Sequence, residues 1–216
     1  MPDRRAGPER LDVVSPTGTP LGTATREEIH RDGLWHPVFH CLVVRPGPPA
    51  RVVLQRRART KATFPGRLDL SATGHLRAGE RPVDGVRELE EELGLGDAAG
   101  RLEPVGIRLL ADDGGEGRNR ERVHLFFLAD DRPLDAFRPE VAEVAAVVEI
   151  EVDPLLDVLS GAAATVKAVE WSPDRARGPE PVDVTVDDLV DPIDGYWSVV
   201  LVMAGRFALG RRPLGI

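Results

Sequence analysis

The stretch Arg87-Glu88-Leu89-Glu90-Glu91-Glu92-Leu93-Gly94 constrains this chain more than any other. At about 100° per residue, with Glu88 set to zero, Glu91 falls near about −60° and Glu92 near about +40°, whereas Leu89, Leu93 and Val86 occupy about 100° to 160°. A helix over Pro82 to Leu93 would therefore carry three carboxylates on one face and its apolar residues on the other, with Gly94 as its C-terminal cap. Like charges at this spacing weaken a helix by about a few tenths of a kcal/mol per pair, so the face calls for something positive. A hard divalent cation, which takes oxygen ligands, is the economical candidate, and Arg87 can hold a carboxylate in forked geometry. The alternative is an acidic face that is simply solvated.

Around this helix the chain alternates short apolar runs with turns. Strands are expected at Leu11 to Val14, Val38 to Val44, Val52 to Gln55, Leu68 to Ala72, Val105 to Leu110, Val123 to Leu128 and Val144 to Ile150. Residues 1–10 read as a flexible tail and Asp112 to Arg120 as a loop. A main domain is expected over 11–160, with a second helix at Asp153 to Ser160. A C-terminal extension over 161–216 would pack on that domain, with a weak strand at Thr165 to Val169 and a proline-rich link near Pro179 to Pro181. Its final helix would run from Asp191 as N-cap and Pro192 to Gly210.

Composition sets the outer bounds. The chain has 216 residues, 42% hydrophobic, enough for a core. Its longest apolar run, Val199 to Ala204, is far short of a bilayer span, and its N-terminus has no apolar signal segment. A net charge of −8 argues against a nucleic-acid partner, and the single cysteine, Cys41, fits a reducing cytoplasm and a small buried side chain.

The segment from Gly74-His75-Leu76-Arg77-Ala78-Gly79-Glu80 through Arg87-Glu88-Leu89-Glu90-Glu91-Glu92-Leu93-Gly94-Leu95 closely resembles the Nudix box, Gx5Ex7REUxEExGU with U aliphatic. The second half matches at every fixed position. The resemblance implies an α/β/α sandwich around a mixed β-sheet, and a loop-helix-loop that binds divalent metal. One departure stands out: only Arg81 to Val86 separate Glu80 from Arg87, one residue fewer than the family pattern. Deletion inside a helix would rotate its face by about 100°, so the loss is expected near Arg81 and Pro82, which places the Glu80–Arg87 contact in doubt. Gly85 within the helix would cost up to about 1 kcal/mol relative to alanine.

A wider similarity runs through Arg26-Glu27-Glu28-Ile29-His30, Gly33-Leu34-Trp35-His36, Leu54-Gln55-Arg56-Arg57, Lys61, Pro65-Gly66, Asp69 and Gly74-His75. It resembles the Nudix branch related to isopentenyl-diphosphate isomerase. Where that isomerase has a catalytic cysteine before its Gly-His pair, this chain has Thr73, which lacks thiol chemistry. The resemblance maps an isomerase-like metal site onto His36, His75 and Glu121, with Asn119 where the family has another glutamate. It maps diphosphate-binding cations onto Arg57 and Lys61.

The reading is a cytoplasmic hydrolase that cleaves a diphosphate linkage in a small molecule, with nucleoside di- and triphosphates among the candidate substrates and Mg2+ or Mn2+ held by Glu88, Glu91, Glu92, Glu121 and the Gly74 carbonyl. Arg87 would orient these groups, and Glu121 or Glu88 would take the proton from water; sequence does not choose between them. An isoprenoid diphosphate isomerase and a non-catalytic nucleotide-sensing module are the alternatives. Trp35, Phe39 and Phe64 are candidates to stack on a base, with core burial the competing role. Glu140 and Glu143 resemble an acidic motif of the branch without an assigned role, and homodimerisation is an analogy alone.

Overall fold

In a computed structural model, which describes residues 9–112, 118–174, 178–190 and 195–216, the chain opens with a hairpin of β1 (Arg10–Val14) and β2 (Pro20–Thr25). Helix α1 (Arg26–Asp32) follows at once because Thr25 is built to start it. Its hydroxyl accepts the Glu28 N–H, while the Glu28 carboxylate accepts the Thr25 N–H at 2.8 Å. Gly33, at φ +63°, ends the helix in a left-handed cap.

The main sheet is mixed and runs β11-β10-β9-β4-β3-β8-β7, with β5 added to β4 and β6 added to β3. These strands are β3 (His36–Arg45), β4 (Arg51–Arg57), β5 (Leu68–Asp69), β6 (Ala72–His75), β7 (Leu102–Asp112), β8 (Asn119–Ala129), β9 (Val144–Glu151), β10 (Val166–Trp171) and β11 (Glu180–Val184). The expected single strand Leu68 to Ala72 is two, on different neighbours. The proline-rich link is partly a strand: among the described residues β11 pairs only with β10, and an edge position tolerates Pro181 because one side needs no ladder donor. Strand β3 lies parallel to β8 and buries both faces, which accounts for its unbroken apolar run.

Alternation along the strands of the main sheet builds a core on each of its faces, and Leu11, Ala24 and Ile29 form a smaller third cluster under the hairpin and α1. Val38, Leu42, Val44, Val52, Leu54 and Phe127 face α3 (Val152–Leu159) and α4 (Tyr196–Ala208), through Leu155, Trp197, Val200 and Leu201. Phe39, Cys41, Val43 and Val53 face Leu89 and Leu93 of α2 (Arg87–Leu93). The result is the expected α/β/α sandwich. The C-terminal segment is part of it, since β10 extends the sheet from β9 and α4 covers one core. Asp191 and Pro192, expected to begin the final helix, lie outside the described residues, as do 1–8 of the expected tail and 113–117 of the expected loop. Arg10 belongs to β1, while Asp112 and Asn119 pair across β7 and β8. No helix among the described residues is long and apolar enough to cross a membrane.

The segment expected as one α-helix is in two parts: Pro82–Val86 forms a 3-10 turn that runs directly into α2. A 3-10 segment rises about 2.0 Å per residue against about 1.5 Å for an α-helix, so fewer residues cover the same path. That is how the short connection reaches α2 with its face intact. Gly85 is the tight point: a Cβ there would lie 2.5 Å from Cβ and Cγ of the fully buried Phe39. Propensity favours Gly85→Ala by about 1 kcal/mol, but overpacking a core typically costs about 1–3 kcal/mol. We therefore expect Gly85→Ala to lower the urea midpoint. Leu89→Ala, which empties a fully buried site, should lower stability by about 2–5 kcal/mol in the same assay.

Candidate active site

Strands β3 and β4 pair only over Val43–Arg45 with Arg51–Val53. Beyond that they separate, because β6 takes the edge of β3 and β5 the edge of β4. A cleft of about 1120 Å³ opens there, bounded also by α2 and by residues from β8 and α4. Of the residues expected to act, Arg57, Lys61, Gly74, His75, Arg87, Glu88, Glu91, Glu92 and Glu121 all line it.

Helix α2 delivers its carboxylates at graded depth. Glu92 is 5% exposed, and its Oε2 accepts the Gln55 amide at 3.0 Å and the Thr73 N–H at 3.2 Å. Burial, with Glu88 close by, pushes its pKa up to about 8. Burial also raises Glu88, against the pull of Arg87, while Glu91 stays largely exposed. Arg87 binds the group together: its Nε donates to Glu80 at 3.0 Å, Nη1 to Glu88 at 2.5 Å and to Glu91 at 3.3 Å, and Nη2 to the His75 carbonyl at 2.8 Å. The Glu80–Arg87 contact is thus intact, contrary to expectation, because the 3-10 turn makes up the missing residue. Gly74 is where Glu88 needs room, since a Cβ there would stand 2.2 Å from the Glu88 carboxyl carbon and Oε1.

The opposite wall is basic, and its cations are engaged. Arg57 donates to Asp69 at 3.1 Å and to the Thr63 carbonyl at 3.1 Å, and Lys61 is paired with Glu143. Sequence reasoning assigned no role to Asp69 or Glu143, because partners 12 and 82 positions away leave no local pattern. Asp69 is half-buried, and its loss of solvent raises its pKa against the pull of Arg57.

His36 and His75 do come together, joined by His30 of α1, which the sequence reading did not single out. The three offer ring nitrogens within 4.8 Å of one another, and His36 stacks on His75 with centroids 5.1 Å apart. The Nε2 atoms of both are buried without a partner, and burial lowers His36 and takes His75 down to about 2. Strand alternation separates this cluster from Gly74: His75 pairs with Val38 of one core face, Gly74 with Phe39 of the other. Glu121 pairs in register with His36 and accepts the Asn119 amide at 2.8 Å. Phe39 is core, Trp35 is half-buried, and of the three candidate stacking rings only Phe64 lines the cleft. Cys41 is buried, which pushes its thiol pKa up and leaves it a packing residue.

The donor set fits a hard divalent cation. Glu88, Glu91 and Glu92 offer carboxylate oxygens on one helix face, and Gly74 is the cradle that lets Glu88 approach β6. Burial raises both Glu88 and Glu92, so a counter-charge bound beside them would favour their ionised forms.

Residues 34–171 match the family model of the NUDIX domain. A Nudix hydrolase of Clostridium acetobutylicum is 32% identical over 196 residues, which covers 89% of this chain and 95% of the relative. One of Rhodococcus erythropolis is 37% identical over 145 residues, 65% of this chain and 78% of the relative. The crystal structure of DR0079 from Deinococcus radiodurans has the same fold, with a TM-score of 0.53 at 19% identity over 71% of this chain and 90% of that one. With the box, the clamped carboxylates and the sandwich in agreement with these matches, the chain belongs to the Nudix family of pyrophosphohydrolases.

Proposed function

We propose that this enzyme is a divalent-metal-dependent hydrolase that cleaves a diphosphate linkage in a small molecule, with nucleoside di- and triphosphates as the substrates to test first, in a reducing cytoplasm. The observation that carries the reading is the carboxylate set of α2, with Glu88 and Glu91 clamped by Arg87 and Glu92 held by Gln55 and Thr73, facing Arg57 and Lys61 across one cleft. Glu88, Glu91 and Glu92, with the Gly74 carbonyl, would hold Mg2+ or Mn2+. When bound, the cation would neutralise phosphate oxygens and lower the pKa of the attacking water.

The remaining work falls to the chain. Gln55 and the Thr73 N–H orient Glu92, and Arg87 orients Glu88 and Glu91. Arg57 and Lys61 exchange Asp69 and Glu143 for diphosphate oxygens, a trade of one anion for another that keeps each cation paired. Water adds its oxygen to phosphorus, the bridging P–O bond breaks, and the proton goes to Glu88 or Glu121, the two carboxylates assigned to that task. Glu121→Gln separates them: loss of kcat with cation affinity retained assigns the proton to Glu121, and retained kcat assigns it to Glu88.

One observation favours a second reading, an isoprenoid diphosphate isomerase: the nitrogen cluster of His30, His36 and His75. Against it, Thr73 stands where the isomerase needs a thiol, and its hydroxyl sits 3.4 Å from Asp69. Interconversion of isopentenyl and dimethylallyl diphosphate by the wild type would establish that reading.

Two variants test the hydrolase. Glu91→Gln, at an exposed position, should leave the melting temperature within about 2 °C and cut metal-dependent phosphate release by about a hundred-fold or more; retained turnover would remove the metal assignment. Gly74→Ala should keep the fold, since the Glu88 side chain can swing aside, yet lose activity by a similar factor and weaken Mn2+ binding in calorimetry.

A further inference from the structure

Arg57 reaches the cleft, but Arg56, the residue before it on β4, lies on the other face of the sheet with Leu54. Its Nε donates to Glu170 Oε2 at 2.6 Å. Glu170 belongs to β10, on the far side of β9, and the β9 residue in register with Arg56 is Ala146, whose small side chain leaves room for this reach. The Glu170 side chain is 5% exposed. Apolar residues of similar volume in place of a buried ion pair are often neutral or stabilising, so stability alone does not account for this one. What the pair does is fix a direction: Arg56 Nη1 donates to the Gly66 carbonyl at 3.1 Å.

Gly66 closes the loop 58–67 that carries Lys61, and this loop is held from two sides. On the cleft side, Arg57 donates to the Thr63 carbonyl and hydroxyl at 3.1 and 3.2 Å, and Lys61 pairs with Glu143. On the outer side, Arg56 holds the Gly66 carbonyl, Arg67 Nη1 donates to the Leu189 carbonyl at 3.0 Å, and the Val190 N–H donates to the Leu68 carbonyl at 2.8 Å. Each outer contact is anchored in the C-terminal segment, at Glu170, Leu189 or Val190. A diphosphate that draws Arg57 and Lys61 away from Asp69 and Glu143 loosens the cleft side as it arrives. Arg56, Gly66 and Glu170 lie outside the cleft lining and keep their bonds.

We propose that Glu170 is a positioning residue for diphosphate binding. Through Arg56 and the Gly66 carbonyl it holds the 58–67 loop, and Lys61 with it, against the cleft while the two cations change partners. The proposal rests on the hydrolase reading and gives the C-terminal segment a part in it. A guanidinium bonded to one carbonyl can still swing, whereas a carboxylate on its second nitrogen fixes the plane of the fork.

The test reads the loop and the ligand without turnover. Arg56→Met combined with Glu170→Leu replaces the pair by apolar side chains, and Glu170→Gln keeps an acceptor for Arg56 Nε. The probe is methylenediphosphonate, whose P–C–P bridge resists hydrolysis, titrated by calorimetry at saturating Mg2+. The double variant should melt within about 3 °C of wild type and keep its Mn2+ affinity, measured without the probe. Its Gly66 and Arg67 amides should nevertheless exchange hydrogen about ten-fold faster, and the diphosphonate should bind about ten-fold more weakly. Glu170→Gln should bring both back to within about three-fold of wild type. Failure of the hydrolase reading appears separately, as turnover retained by Glu91→Gln. The positioning role itself is overturned if wild type does not bind the diphosphonate, if the loop of the double variant exchanges as slowly as wild type, or if the loop loosens and the affinity stays. Faster exchange spread over the whole sheet would also overturn it, since the pair would then be structural only.

Discussion

The Arg87 guanidinium is the interaction on which the site depends. Its donors reach Glu80, Glu88, Glu91 and the His75 carbonyl, so one side chain ties the loop, the helix and β6 into one unit. A planar fork suits this role, since it presents several donors in fixed directions and loses little freedom per bond. Without it, the carboxylates of α2 would repel one another and spread. With it, they stay gathered on the cleft side while Leu89 and Leu93 anchor the other side of the helix in the core.

A second constraint is the separation of β3 from β4. Two strands that paired along their whole length would close the sheet and leave no cleft. Because β5 and β6 satisfy the freed edges instead, the ladder's backbone groups remain paired while space opens between them. The same arrangement explains why the C-terminal segment matters to the site. Helix α4 covers one core and brings Tyr196 and Trp197 to the cleft floor, and the Val190 N–H is bound to the Leu68 carbonyl at 2.8 Å. Residues far apart in the chain thus set the shape of one cavity.

Burial and charge are set against each other at this site. Glu92 and Asp69 are carboxylates that burial pushes toward the neutral form, and each is held by hydrogen bonds that favour its charged one. A fold that only sought stability would place apolar side chains there. The polar set is sensible where charge must be supplied to a ligand, and Glu92 and Asp69 both line the cleft.

What was legible in the sequence was local. The acidic face of α2 and its leucine face follow from a 3.6-residue period, and the main strands from apolar runs bounded by turns. The Thr25–Glu28 capping box was also written there, as Thr25-Arg26-Glu27-Glu28, although the helix it starts was not anticipated. The close approach of Gly85 to Phe39 was not legible, because propensity knows nothing of a side chain packed from another strand. The partners of Arg57 and Lys61, the meeting of His30 with His36 and His75, and the exposure of Phe64 rather than Phe39 in the cleft were not legible. They depend on strand order and register. The sequence by itself determined which side chains share a helix face or a strand face, since backbone geometry sets that within a few residues. Only the tertiary structure decided which faces meet, because contacts between distant segments are settled by how the whole sheet packs its two cores.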